Sequence, residues 1–143
     1  MKVSEKTSIT VEATIMSPVE QVWKIWTEPK HITEWNAAST DWHTPKATND
    51  LRVGGRFTSR MEARDGSAGF DFGGVYDVVT PNEYIEYTID DGRKVSVKFK
   101  SKGNETVVSE TFEAEAINSV EMQKNGWQAI LHSFKKYTES ISR

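Results

Sequence analysis

The stretch "SVEMQKNGWQAILHSFKKYTESIS", residues 119–142, decides the fold prediction because the period of the pattern changes there. A helical spacing of mostly apolar residues begins in it. A stripe of this length predicts a long amphipathic helix that must pack against another surface. The stripe consists of Val120, Gln123, Trp127, Ile130, Leu131, Phe134, Tyr137 and Ile141.

The preceding sequence predicts that surface, because it alternates apolar and polar residues in the manner of half-buried strands. Gly, Asn, Asp or Pro separates one run from the next, as tight turns require. These runs therefore predict a meander of antiparallel strands. They cover residues 56–64, 68–79, 84–89, 94–100 and 106–115. One face of the second run is expected to hold Phe70, Phe72, Gly74, Tyr76 and Val78.

The N-terminal third predicts one more strand and a short helix. Ile9, Val11, Ala13 and Ile15 alternate as in a strand, and "SPVEQVWKIW" at 17–26 then has Ser17 as a helix cap and Pro18 at the first helical position. We expect this helix to end before Pro29, with one more turn at 31–35. Residues 36–50 are polar and turn-rich, so they are interpreted as an ordered loop.

The order strand, short helix, several strands, long helix predicts one α+β domain spanning residues 1–143. Its helices are expected to pack on one face of an antiparallel sheet.

The glycine pair Gly54-Gly55 raises the question of a phosphate-binding loop. Such a loop leads into a helix, whose N-terminal amides meet the phosphate, whereas this pair leads into a predicted strand. No Gly-Lys-Ser or Gly-Lys-Thr occurs in the chain. We interpret this pair, and Gly73-Gly74, as positions where only glycine fits the backbone.

Composition excludes several classes of function. Eighteen basic and 21 acidic residues leave a net charge of -3 without a basic stripe, which argues against nucleic acid as a partner. No apolar run could span a membrane and the N-terminus lacks a signal peptide's apolar segment, so a cytoplasmic protein is expected. The absence of cysteine excludes disulfides and thiolate chemistry. Monomer and dimer both remain open.

No pattern of catalytic or metal-ligating residues is present. The histidines His31, His43 and His132 lack partners at ligand-like spacing, and no Gly-x-Ser-x-Gly elbow occurs. We therefore expect no metal, no cofactor and no assigned catalytic residue. His132 should be solvated, whereas His31 could reach a pocket mouth.

Polar residues on apolar faces indicate where a cavity would lie. Gln123 and Trp127 share the buried stripe of the long helix, and Glu110 shares a strand face with Val108 and Phe112. A buried amide or carboxyl group is costly without a partner, which favours a site that receives a ligand. Glu110 could instead pair with a basic or hydroxyl group, or it could lie at a strand end open to water.

Four segments together resemble the activator-of-heat-shock-ATPase-homologue family, a branch of the START-like, helix-grip superfamily. They are residues 17–35, 50–67, 72–89 and 124–137. The resemblance implies a strongly curved sheet that grips the C-terminal helix, with an internal pocket that in many relatives holds an apolar or amphipathic molecule. The eukaryotic co-chaperones that name the family carry a further N-terminal domain, for which this chain has no room.

The resulting prediction is binding of a small apolar or amphipathic molecule between the sheet and the C-terminal helix. Entry is expected between that helix and the loops around Trp35 and Trp42. One alternative is a chaperone-regulating or other protein-interaction module with a filled core, and another is an enzyme of cyclase or hydrolase type with Glu110 as acid or base. The predicted pocket residues are Trp35, Phe57, Met61, Phe72, Tyr76, Tyr87, Phe99, Glu110, Gln123, Trp127 and Leu131.

Overall fold

A computed structural model describes residues 7–141 as a seven-stranded antiparallel sheet with three helices. Two short helices follow the first strand and the long helix ends the chain, so the predicted α+β class is confirmed. The elements are β1 (Ser8–Ile15), α1 (Val19–Thr27), α2 (Pro29–Trp35), β2 (Trp42–Asn49), β3 (Arg56–Ala63), β4 (Gly69–Thr80), β5 (Tyr84–Ile89), β6 (Lys94–Lys102), β7 (Glu105–Glu113) and α3 (Val120–Ile141).

The strand order is β1-β7-β6-β5-β4-β3-β2, so the two edges are β1 and β2. Hairpins connect β2 through β7, while α1 and α2 carry the chain from one edge to the other. The sheet curls around α3, which lies along β1 and is tied to it by Lys135 Nζ, 2.6 Å from the carbonyl oxygen of Thr14. Leu131 and Phe134 of α3 are fully buried in the resulting core.

The interpretation of residues 36–50 as a loop is wrong for their second half, which forms the edge strand β2. β2 pairs with β3 from Trp42 opposite Ala63 to Asn49 opposite Phe57. The sequence does not predict this strand, because Pro45 and several polar residues interrupt the alternation of apolar and polar residues. Proline is tolerated there because an edge strand has one unpaired side, and the register shifts between His43 and Lys46, around the proline.

A second correction concerns the end of β4. Tyr76 pairs with Tyr87, but the next partners are Val78 and Glu86, so one extra residue bulges out between Tyr76 and Val78. A bulge shifts the alternation by one residue. Val79, rather than the predicted Val78, therefore packs against the core.

The helices follow the prediction with changes at their ends. α1 begins at Val19, so Pro18 takes the cap position and Ser17 lies outside the helix. α2 extends the predicted turn at 31–35 to seven residues. The predicted buried stripe of α3 is wrong at both ends, because Val120 and Ile141 are 48% and 41% exposed. No helix within residues 7–141 is long and apolar enough to cross a membrane.

The two glycine pairs serve backbone geometry, as the sequence predicted. Gly54 adopts φ +83°, in the left-handed region that favours glycine. A Cβ atom on Gly55 would collide with the backbone oxygen of Asp50. A Cβ atom on Gly74 would lie 2.5 Å from the carbonyl oxygen of Thr88. These positions let neighbouring backbone segments approach closely.

Candidate ligand-binding site

A cavity of about 400 Å³ lies between the concave face of the sheet and the helices. The sheet supplies aromatic and polar side chains from β3, β4, β5 and β7, and the helices supply mostly apolar ones. Eight of the eleven residues predicted for the pocket line this cavity. They are Trp35, Phe57, Met61, Phe72, Tyr76, Tyr87, Glu110 and Trp127.

The other three predicted residues do not line the cavity. Phe99 packs edge-on against Trp23, with ring centroids 5.2 Å apart, under α1. Leu131 is fully buried in the core between α3 and the sheet. Gln123 is buried as well, but its amide bonds to the loop before α3: its oxygen accepts from the Glu115 amide at 2.8 Å, and its nitrogen donates to the carbonyl oxygen of Asn118 at 2.8 Å. Gln123 thus holds the β7–α3 loop, and its polar atoms have the partners that we expected a ligand to supply.

An aromatic cluster forms the sheet side of the cavity. Phe57 lies at its centre, with ring centroids 4.8 Å from Tyr87, 5.4 Å from Tyr76 and 6.0 Å from Phe72. These rings come from three neighbouring strands, where alternation directs every second side chain to the concave face. The cluster offers ring edges and faces to an apolar or aromatic molecule.

Trp127 faces this cluster from α3. Its ring stacks on Phe112 of β7, with centroids 4.0 Å apart and planes 9° apart, and its edge meets Phe72 at 6.2 Å. The ring is half-buried and lines the cavity. Because one face is fixed on Phe112, Trp127 is held in place before any ligand arrives.

Glu110 brings a carboxyl group into this apolar surrounding. It lies between Val11 of β1 and Val97 of β6 in the sheet and is only 5% exposed. Among residues 7–141 no side chain forms an ion pair with it, and burial raises the pKa of its carboxyl group to about 8. The sequence leaves open a basic or hydroxyl partner for Glu110, or a strand end open to water. The burial of Glu110 excludes the open strand end, and no basic side chain among residues 7–141 pairs with it.

The hydroxyl groups nearby differ in how they are bonded. The Tyr76 hydroxyl donates to Asn49 Oδ1 at 2.6 Å. Tyr87 is buried beside the cavity, and its pKa is raised, first by burial and then by the charge of Glu110. Tyr87 and Glu110 both line the cavity. Ser59, also buried, lines the same cavity.

Charged residues lie where the cavity meets a second pocket of about 270 Å³. Arg93 and Glu115 line both spaces. The guanidinium group of Arg93 is held by Asp91, 2.9 Å from its Nε, and by the carbonyl oxygen of Glu113, 2.9 Å from its Nη1. The cavity therefore has a charged border and an apolar interior.

The histidines do not line the cavity. His31 Nδ1 lies 2.7 Å from the Tyr137 hydroxyl, and the pair joins α2 to α3. Burial is the main cause of the lowered pKa of His31. His132 is exposed. No group of three or more His, Asp or Glu residues in the described part of the chain is placed to hold a metal ion.

Several lining residues were not predicted from the sequence. Ile85 could have been, since it shares a strand face with Tyr87. Ile130 lies on the predicted helix stripe, three residues after Trp127. Arg93 sits in a turn, where no period indicates direction. The unpredicted lining residues with large side chains are Trp26, Ile32, Phe70, Ile85, Arg93 and Ile130.

Comparison with known proteins identifies close relatives. The family model described as "Activator of Hsp90 ATPase homolog 1-like protein" matches residues 16–139. An AHSA1-like protein from Aeromonas hydrophila is 47% identical, with a TM-score of 0.89 and coverage of 94% of each chain. The protein Chr148 from Cytophaga hutchinsonii is 55% identical, with a TM-score of 0.81 and coverage of 94% of this chain and 93% of the other.

More distant structures share the fold alone. Protein NE0264 from Nitrosomonas europaea is 16% identical, with a TM-score of 0.79 and coverage of 94% of this chain and 95% of the other. No curated protein matches the chain significantly.

Proposed function

The chain belongs to the Activator of Hsp90 ATPase homolog 1-like family, of the helix-grip superfamily, and we propose that it binds a small apolar or amphipathic molecule between its sheet and α3. The observation that carries this proposal is the cavity of about 400 Å³. Small-molecule sites typically measure ~300–1,000 Å³, and protein interiors are otherwise packed with few voids. The partner-binding alternative expects a filled core, so the cavity supports ligand binding over it.

The lining supports the same proposal. Aromatic rings from the sheet and from Trp127 provide apolar contact area, while Glu110, Tyr87 and Ser59 supply a few polar groups. A mostly apolar wall with a small number of converging polar groups is the usual composition of such sites. The ligand would lie against Phe57 and Trp127 and meet Glu110 at the sheet.

Titration with Nile red, an uncharged apolar dye that fluoresces in dry surroundings, tests the proposal. We expect saturable binding at one site per chain. Trp127→Leu should weaken it several-fold, because the variant removes one wall of the site. The matched control is Trp23→Leu, the same change at a tryptophan that packs on Phe99 outside the cavity. Folded wild-type protein that shows no saturable binding would refute the proposal.

An enzyme acting in the same cavity is the second candidate, and the observation that favours it is Glu110. A buried carboxyl group with a pKa near 8 can serve as a general acid or base at neutral pH. Native mass spectrometry of protein purified from its own host separates the two candidates. A single co-purifying mass supports binding, whereas a substrate–product pair that interconverts only when Glu110 is present supports catalysis.

A further inference from the structure

Glu110 is the side chain whose presence in the cavity wall is hardest to explain by packing. Its strand neighbours on either side are Val11 and Val97, and in their surroundings a leucine or valine would fill space at lower cost. It lines the cavity, and none of residues 7–141 forms an ion pair with it. Its polar atoms are therefore directed at whatever occupies the cavity.

The charged and titratable groups around the cavity leave this carboxyl group uncharged at neutral pH. Tyr76 of β4 and Tyr87 of β5 line the same cavity, and burial raises the pKa of both phenols, so they stay neutral. Arg93 and Glu115 lie at the charged border, where Arg93 is bound to Asp91 and Glu115 accepts hydrogen bonds from its own loop. With a pKa of about 8, Glu110 carries a proton at pH 7 and presents an O–H donor to the cavity.

We propose that Glu110 determines the specificity of the cavity by donating a hydrogen bond from its neutral carboxyl group to an uncharged oxygen of the ligand, such as a ketone, ester or ether oxygen. This inference rests on the proposed ligand-binding function and adds the chemical class of the ligand. The cavity selects oxygenated apolar molecules over pure hydrocarbons and over amines.

Competing ligand chemistries fit the site less well. An ammonium group would ionise Glu110 and create a buried ion pair, whose cost of desolvation is offset only when further hydrogen bonds surround both ions. A hydrocarbon would leave the carboxyl group without a partner in an apolar space. A carboxyl group kept protonated by an apolar site, so that it donates a hydrogen bond to a ligand oxygen, is known from ketosteroid isomerase.

Three ligands of nearly identical shape test this inference. They are benzophenone, its hydrocarbon isostere diphenylethylene with a methylene group in place of the oxygen, and benzhydrylamine, which is a cation at acidic pH. The assay is displacement of Nile red at about pH 6, where Glu110 is protonated, and at about pH 9.5, where it is ionised. At the lower pH we expect wild type to bind benzophenone about tenfold more tightly than either analogue. At the higher pH the preference for benzophenone over diphenylethylene should fall to near unity.

Two variants of Glu110 test whether its carboxyl group causes the preference for benzophenone. Glu110→Gln keeps an N–H donor that does not titrate, so its preference for benzophenone should persist at both pH values. Glu110→Leu should bind benzophenone and diphenylethylene equally at both. Glu83→Gln, the same change at an exposed carboxyl group outside the cavity, is the control and should retain the wild-type pattern.

The outcomes separate this inference from the function on which it rests. Equal affinity of wild type for benzophenone and diphenylethylene at about pH 6, with both displacing the dye, overturns the role of Glu110 and leaves ligand binding intact. A preference that survives in Glu110→Leu, or that disappears in Glu83→Gln, overturns it as well. Failure of Nile red to bind folded wild type overturns both.

Discussion

Replacing Glu110 by glutamine should change the pH dependence of stability in a way that the structure specifies. Burial raises the pKa of this carboxyl group from an ordinary 4.5 to about 8. Between these values the folded chain holds a proton that the unfolded chain releases. The contribution of Glu110 to the free energy of unfolding is therefore fully present below about pH 4.5, declines as the pH rises, and is lost above about pH 8.

The size of the effect follows from the shift. One pKa unit corresponds to about 1.4 kcal/mol, so the wild type should lose on the order of 4–5 kcal/mol across this window through Glu110. Glutamine is nearly isosteric and cannot ionise. Glu110→Gln should therefore equal wild type in stability near pH 4.5 and exceed it by about that amount near pH 8.

Urea unfolding followed by tryptophan fluorescence measures this difference at several pH values. Other titrating groups affect both proteins equally, so the difference between the two curves isolates Glu110. Glu83→Gln is the control, because Glu83 lies exposed between β4 and β5 and should give a difference near zero throughout. A gap between wild type and Glu110→Gln that stays constant within about 1 kcal/mol would mean that Glu110 is ionised in the folded protein, and the reasoning would fail.

Three further changes test the description of the fold. Gly74→Ala should lower the free energy of unfolding in urea by about 2–3 kcal/mol, because its Cβ would overlap a strand carbonyl oxygen. Gly126→Ala has open space at Cβ and should stabilise α3 by up to about 1 kcal/mol. Equal effects of the two changes would contradict this. Gln123→Leu should lower stability by about 2–3 kcal/mol through its lost loop hydrogen bonds and leave Nile red affinity unchanged. Tyr137→Phe should lower the free energy of unfolding by about 1 kcal/mol in the same assay, because it removes the hydroxyl that contacts His31. An unchanged stability would mean that this contact does not stabilise the fold.

The sequence predicted the elements whose periodicity is uninterrupted. β5 and β7 alternate over their full length, β6 alternates as far as Phe99, and the stripe of α3 places Leu131 and Phe134 in the core. The prediction failed where the period was broken or masked. Pro45 and polar residues concealed β2, and the bulge after Tyr76 moved Val79 to the side expected for Val78.

The candidate site was predictable in part for a related reason. Periodicity determines the face on which a side chain lies, which was enough to bring Phe57, Tyr87 and Trp127 to one cavity. It does not determine what a side chain meets beyond its own element. Gln123 was therefore expected in the pocket because a buried amide needs partners, and the β7–α3 loop that supplies them has no recognisable pattern.

The burial of Glu110 in apolar surroundings affects both the stability of the protein and its proposed ligand specificity. The apolar surroundings that raise its pKa make its ionised form costly and also keep the O–H donor present at neutral pH. If Glu110 served only packing, its replacement by leucine or glutamine would stabilise the protein without changing its ligand preference. If Glu110→Leu is more stable than wild type at pH 7 and at the same time loses its preference for benzophenone over diphenylethylene, the carboxyl group is a case in which a binding site costs stability. If stability rises and the ligand preference is unchanged, Glu110 contributes to neither folding nor selection, and the polar side of the cavity must be assigned to Tyr87 and Ser59 instead.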